Sequence, residues 1–212
     1  MRILITGACG FVGSTLAFGF REGWPDWEIV GLDNLVRAGS EGNRSELKRR
    51  GVKLVHGDIR CPSDLEGIAA CDWILDAAAN PSVLAGVDGK TSSRQLVEHN
   101  LSGTVNLLEL ARGWKSGFLM LSTSRVYSIR GLAGIPVTAG GDRFHLQEGA
   151  TVPGCGEGGV TEAFSTEPPL SLYGTSKRAS ELLACEYAEA FGVPVFRIGA
   201  ACWAGGGAVR QD

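Results

Sequence analysis

Short apolar runs recur along the chain, each followed by a stretch whose apolar positions fall at helical spacing. Arg2–Thr6 is the first such run, and residues 13–22 behind it read as a helix. Glu28–Asp33 predicts a second strand, 43–50 a short helix and 52–56 a third strand. Residues 63–70 read as helical and 73–77 as a fourth strand. Over 94–112, Leu96, Val97, Leu101, Val105 and Leu108 recur at the spacing of one helix face. A fifth strand at 117–122, a long helix at 173–191 and a sixth strand at 193–198 complete the series. Strands that alternate with helices build βαβ units, so the expected fold is α/β, a doubly wound parallel sheet covered on both faces.

The order breaks between 128 and 161. This segment is glycine-rich, contains Pro136 and Pro153, and keeps neither period. It is longer than an ordinary connection. A floppy surface loop is one reading. A substrate-covering insertion is the other, and it is favoured by a position between two segments that carry candidate chemistry. After the sixth strand, "WAGGGAVRQD" is loop-like, with no patterned second domain behind it.

Composition narrows the function. Apolar residues make up 44% and charged residues 20%, enough for a substantial core under an ordinary polar surface. A net charge of −3 without a basic arm gives no footprint for nucleic acid. The six cysteines are scattered, form no CxxC pair and lack metal-ligand spacing. They read as reduced thiols of a cytoplasmic protein, and no metal is expected. Residues 3–20 carry no charge and superficially imitate a secretion signal or a membrane span. Glycines at 7, 10, 13 and 19, with Thr6, Ser14 and Thr15, dilute that character, and a strand–turn–helix uses every residue of the stretch.

That strand–turn–helix carries the first chemistry. "RILITGACGFVG" places Gly7, Gly10 and Gly13 between a strand and a helix, with Phe11 and Val12 in the opening turn of that helix. Gly7 permits the tight turn, Gly10 lets a pyrophosphate approach the backbone, and Gly13 packs helix closely on strand. The helix N-terminus then offers free N–H groups to the anion. Asp33 stands 20 residues beyond Gly13, at the end of "EIVGLD", followed by Asn34. A carboxylate there accepts both hydroxyls of an adenosine ribose and repels a 2′-phosphate, so NAD is the expected cofactor. The expected organisation is one Rossmann-type NAD-binding domain over 1–212, with 128–161 inserted near the substrate site and most of a C-terminal substrate region absent from the chain.

Further candidates follow along the sheet. Asp58 in "HGDIR" suits an adenine amino group, with Ile59 packed on the ring, or is simply a polar residue opening a helix. Ala77, Ala78 and Ala79 are small where a cofactor would pass close, and Asn100 is either a polar contact or an exposed helical residue. Tyr173 and Lys177 in "SLYGTSKRASELL" lie four apart, on one helical face. A phenol titrates near 10, so service as a base near neutrality needs a shift of about three units, roughly 4 kcal/mol in favour of phenolate. A nearby ammonium and a cationic nicotinamide favour that form. The phenolate would take a hydroxyl proton as hydride leaves the same carbon. The fifth strand ends in Ser122, Thr123 and Ser124, candidates for a hydroxyl that orients the substrate.

Together, "ILITGACGFVGS", "GLDNL", "HGDIR", "NLSGTVNLLELA", "STSRVY", "LYGTSKRASELL" and "VFRIG" resemble the extended short-chain dehydrogenase/reductase family, in its NAD-dependent nucleotide-sugar epimerases and dehydratases. The resemblance implies Tyr173 as the acid–base residue, Lys177 as its electrostatic and ribose-binding partner, and Thr123 as the orienting hydroxyl. It also implies a nucleotide-sugar substrate, a homodimer or higher homo-oligomer built through the two long helices, and no membrane association. Dehydratases of the family follow that threonine with an Asp-Glu pair, where Ser124 and Arg125 stand here, so the expectation is an epimerase. The long link before Tyr173, the segment "DNLVRAGSEGN" and the glycine-rich run after the sixth strand are most similar to those of the family's CDP-sugar epimerases, a resemblance that implies action at C2 of a CDP-sugar. Ser128, in place of a glycine, and Asp76, in place of a common histidine, depart from the family pattern. The alternatives are another nucleotide-sugar 4-epimerase or reductase of the same family, or a non-catalytic dinucleotide-binding protein.

Overall fold

A computed structural model describes residues 1–84, 86–87, 89, 92–141, 143–156 and 158–200. In chain order the elements are β1 (Arg2–Thr6), α1 (Phe11–Gly23), β2 (Glu28–Asp33), α2 (Arg44–Arg49), β3 (Lys53–His56), α3 (Pro62–Glu66) and β4 (Trp73–Asp76). Next come α4 (Ser93–Val97), a π-helical turn (Glu98–Ser102), α5 (Gly103–Trp114), β5 (Gly117–Thr123) and α6 (Ile129–Ala133). Two small hairpins follow, β6 (Val137–Gly140) with β7 (Arg143–Leu146) and β8 (Cys155–Gly156) with β9 (Gly159–Val160). The long helix α7 (Leu172–Phe191) and the strand β10 (Val195–Ala200) close the described chain.

Six strands form one parallel sheet in the order β3-β2-β1-β4-β5-β10. The chain starts at the centre, winds to one edge and then returns to wind to the other. Between β1 and β4 the connections leave in opposite directions, which opens a crevice at the carboxyl ends of these strands.

Alternation along the strands divides the core. Ile3, Ile5, Ile29 and Leu75 meet Ala17 of α1 and Leu47 of α2 on one face. Leu4, Val30, Ile74, Phe118 and Met120 meet Leu107, Leu108 and Ala111 of α5 and Ala184 of α7 on the other. Each large side chain removed from water contributes about 1.5–3 kcal/mol. The α1/α2 face is barer toward β10, where Phe196 and Ile198 are exposed.

The expected elements are present with shifted ends. The sixth strand begins at Val195 because Pro194 has no N–H for the ladder, and the Pro194 carbonyl accepts from the Phe118 N–H at 2.8 Å. The helix expected over 63–70 spans only Pro62–Glu66, capped at Gly67. The helix expected over 94–112 is interrupted by the π-helical turn. The insertion is not structureless: it holds α6 and both hairpins. Their strands have two to four residues, too short to display a period. The run beginning at Cys202, "CWAGGGAVRQD", lies outside the described residues, so its reading as a loop is not addressed.

Candidate active site

The turn after β1 is shaped by close packing. Gly7 has φ +63°, and a side chain there would also come within 2.9 Å of the Ala77 carbonyl oxygen. A Cβ on Gly13 would collide with the Gly7 carbonyl. Gly10 caps α1 without any side-chain hydrogen bond, and no acidic residue stands in the first turn. Among the described residues, no side chain caps this helix start, so the amides of Phe11, Val12 and Gly13 meet no competing carboxylate from its first turn. Such an N-terminus accepts an anion, so the residues present fit the pyrophosphate of a dinucleotide.

Asp33 Oδ2 accepts from the Cys9 N–H and Oδ1 from the Leu35 N–H, both at 2.8 Å. A carboxylate has about four acceptor positions, so each oxygen keeps one for a ribose hydroxyl. Asp58 is occupied more fully. It accepts from the Arg60 backbone, from two nitrogens of the Arg60 guanidinium and from Asn34 Nδ2, at 2.6–3.0 Å. These hydrogen bonds, with the Arg60 charge, hold the carboxyl well below its usual range. In this arrangement Arg60 and Asn34 fill acceptor positions of Asp58 that were expected to face an adenine amino group. Ile59 also departs from expectation. It is buried in the core against Gly103, not offered to an adenine ring. Asn34, Asp58 and Arg60 instead border a small cleft of about 280 Å³.

A buried polar seam crosses the switch point. Asp76, paired in register with Thr6, is fully buried and accepts from Thr6 Oγ1 at 2.9 Å. The Thr104 hydroxyl lies between Asp76 Oδ2 and the Asn100 carbonyl, at 3.1 and 2.9 Å. Asn100 is 1% exposed, which removes the exposed-helix alternative. Its Oδ1 accepts from the Asn80 N–H, and its Nδ2 donates to the Asn80 carbonyl and to Ser176 Oγ. Sitting in the π-helical turn, it fastens the chain after β4 to α7. Ala77 and Ala78 of that chain pass directly against Gly7, while Ala79 is exposed.

At α7, Ser171 caps the helix, its Oγ accepting from the Gly174 N–H at 3.0 Å. A Cβ on Gly174 would collide with the Arg125 carbonyl, so only glycine lets this turn approach the end of β5 so closely. The contact brings Tyr173 to Thr123, each 8% exposed. Burial pushes the Tyr173 phenol up, while hydrogen bonding to the Thr123 hydroxyl and the Arg125 charge oppose this. Lys177 is 2% exposed. Burial lowers its pKa, and Asp76 and Glu181 counteract the loss of charge. Ser122 is taken by Glu181, which also pairs with Arg178 at 3.0 Å. Ser122 is thus engaged, and of the two remaining candidates it is the Thr123 hydroxyl that acts on the phenol.

An open cleft of about 1290 Å³ lies beside this point, bordered by Thr123, Arg125, Tyr127, Glu162 and Arg197 and, from the insertion, Leu132 and Val160. Sequence reasoning missed Glu181, Arg60 and the Asn80–Asn100 clip. Glu181 was legible, because it stands four residues beyond Lys177 on the helix face of the pair. The other two depend on contacts between distant segments and left no local signal. No helix of the described residues is long and apolar enough to cross a membrane. The described residues also hold no cluster of three or more potential metal ligands.

A family model described as the NAD dependent epimerase/dehydratase family matches residues 3–207. The chain belongs to that family. CDP-paratose 2-epimerase from Salmonella typhi is 30% identical over 91% of this chain and 54% of its own length. A dTDP-glucose 4,6-dehydratase from Streptomyces venezuelae, solved as a double mutant with NAD bound, superposes with a TM-score of 0.71 at 29% identity, covering 94% of this chain and 55% of that one. UDP-glucuronic acid 4-epimerase from Bacillus cereus, in complex with NAD, gives a TM-score of 0.68 at 27% identity, covering 95% and 56%. The chain thus spans about half the length of the relatives it matches.

Proposed function

We propose that the chain is the cofactor-binding part of an NAD-dependent nucleotide-sugar epimerase, and that the sugar is a CDP-sugar inverted at C2. The convergence of Thr123 and Tyr173 at the end of β5, on the same domain as the turn 7–13, carries this reading. The amides of that turn would hold the pyrophosphate, and the free lone pairs of Asp33 the adenosine ribose, which favours NAD over NADP. When bound, NAD supplies a reversible acceptor for the hydride of the sugar carbon.

The chain's own groups do the rest. Tyr173 removes the proton of the sugar hydroxyl as the carbon becomes a ketone, and returns it once the sugar has presented its other face. Thr123 orients that hydroxyl through a shared hydrogen bond. Lys177 supplies a positive charge behind the phenol and a donor for the nicotinamide ribose. Elimination has no support, because Ser124 and Arg125 offer no carboxyl group at the strand end. The CDP-sugar assignment rests on the 30% identity to the Salmonella typhi protein and on the long segment between Tyr127 and Tyr173. The exposed Leu182 and Phe191 of α7 suit assembly with a second copy through the long helices.

The test uses the full-length protein with CDP-, UDP- and GDP-sugars. Tyr173→Phe should lower turnover by about 10²–10⁴-fold. Epimerisation near the wild-type rate in that variant would overturn the assignment. Mass spectrometry of small molecules released from the purified protein should find NAD.

A further inference from the structure

We propose that the chain binds its dinucleotide without reading position 6 of the purine, so that hypoxanthine is accepted in place of adenine, and that Arg60 is the residue that sets this tolerance. The inference rests on the reading of the turn 7–13 and Asp33 as a dinucleotide site and deepens it.

Position comes first. Asp33, the carboxylate open to the adenosine ribose, pairs in register with His56 at the end of β3. The cleft of about 280 Å³ bordered by Asn34, His56, Asp58, Arg60 and Asp64 therefore lies one strand further out, where the base on that ribose would fall. Asp58 is the half-buried carboxylate of this cleft, and the acceptor a 6-amino group would need.

The acceptor positions of Asp58 are already used. Its Oδ1 accepts from the Arg60 N–H at 2.9 Å and from Arg60 Nε at 3.0 Å. Its Oδ2 accepts from Arg60 Nη2 at 2.6 Å and from Asn34 Nδ2 at 2.9 Å. A carboxylate offers about four lone-pair positions, and these donors fill them. The same count leaves Asp33, with its two donors, open to two ribose hydroxyls. The arrangement is held from both ends. Asn34 Oδ1 accepts from the Val36 N–H at 3.1 Å, which turns Nδ2 toward Asp58. The Asp58 N–H is tied to Asp64 Oδ2 at 2.8 Å.

A guanidinium that grips both oxygens of a carboxylate binds more strongly than a neutral amino group does. An adenine amino group therefore does not displace Arg60. Asp64, the other carboxylate of the cleft, is exposed, and a hydrogen bond to it only replaces one to water. Adenine and hypoxanthine differ at position 6, an amino donor in one and a carbonyl acceptor in the other. A free carboxylate would attract the first and repel the second. A carboxylate covered by Arg60 and Asn34 does neither.

The experiment is isothermal calorimetry of the full-length protein, stripped of nucleotide, with NAD and with nicotinamide hypoxanthine dinucleotide. In the wild type the two dissociation constants should agree within about threefold. Arg60→Ala removes two of the four donors to Asp58 and should reveal a preference for NAD of about 10–100-fold, the strength of a hydrogen bond to a charged acceptor. Adding Asp58→Ala to Arg60→Ala should erase that preference, which a general loosening of the cleft would not do. A preference for NAD of about tenfold or more in the wild type overturns the proposal, and so does an Arg60→Ala variant that binds both dinucleotides equally. Neither titration involves turnover. Equal binding of the two dinucleotides by a protein that epimerises no nucleotide sugar would sink the functional reading and leave this one standing, and a preference for NAD in an active epimerase would do the reverse.

Discussion

On the cofactor side of the crevice, three consecutive elements build the site from their own backbone. β1, the turn 7–13 and α1 are packed so tightly that Gly13 touches Gly7, and Asp33 ties the turn to the next strand through the Cys9 N–H. On the substrate side, the cleft wall comes from α6, the β8–β9 hairpin and the segment before α7, and the β6–β7 hairpin belongs to the same insertion. Two-stranded hairpins are marginal by themselves, and Phe144 and Val160 remain exposed on them. The first side is a rigid mould for a molecule of invariant shape. The second is a thin shell, free to differ between proteins that handle different sugars.

The strongest way to break the contrast is a side chain in the mould. Gly13→Val should abolish NAD binding in calorimetry and cost about 3 kcal/mol of stability, because no neighbouring side chain can yield. The matching change in the shell, Gly156→Val, meets nothing within 4 Å and should leave the melting temperature unchanged. Comparable losses from both variants would abolish the distinction.

Asn100 joins the two sides. Asn100→Ala leaves the Asn80 N–H without its partner and removes the bonds to the Asn80 carbonyl and Ser176 Oγ, at a cost of about 2–3 kcal/mol. Urea unfolding should show the loss. NAD affinity should fall less than in Gly13→Val, because the turn 7–13 is intact.

The same contrast decides what could be read from the chain. The parallel sheet and the turn 7–13 were legible because parallel strands buried on both faces are continuous apolar runs and because close backbone approach demands glycine at fixed offsets. Thr123, Tyr173 and Lys177 were legible because two of them share one helix and the third ends a strand. The hairpins were not, since four-residue strands with exposed side chains carry no hydrophobic period. The burial of Ile59 was not legible for a related reason. Its neighbours in sequence do not disclose that Gly103 leaves a space for it in the core. The pairing of Asp58 with Arg60 was not anticipated, although the arginine stands only two residues away.

Asp58 gives a smaller effect with a definite sign. Its folded pKa is depressed by Arg60, so its contribution to stability is complete above the unfolded value, about 3.9, and is lost as pH falls through the folded one. Partial exposure of Arg60 limits the gain to about 1 kcal/mol. In Asp58→Asn, stability at pH 7 should fall by that amount and lose this part of its acid dependence, measured as chemical denaturation at pH 7 and at pH 3. An unchanged difference between the two pH values would mean that the ion pair does not form in solution.

The smallest effect sharpens the comparison within one residue type. Phe118 in β5 is fully buried between the sheet and its helices, whereas Phe144 in β7 is 75% exposed and lies opposite Ala139. Phe118→Ala removes a ring from a close-packed core and should cost about 3–5 kcal/mol. Phe144→Ala removes one cross-strand contact on a wet surface and should change stability by less than about 0.5 kcal/mol. Differential scanning calorimetry separates these outcomes, since about 1 kcal/mol moves the melting temperature of a domain this size by about 2–4 °C. A fall of several degrees in Phe144→Ala would mean that the β6–β7 hairpin is packed as part of the core, and that the substrate side is as rigid a mould as the cofactor side.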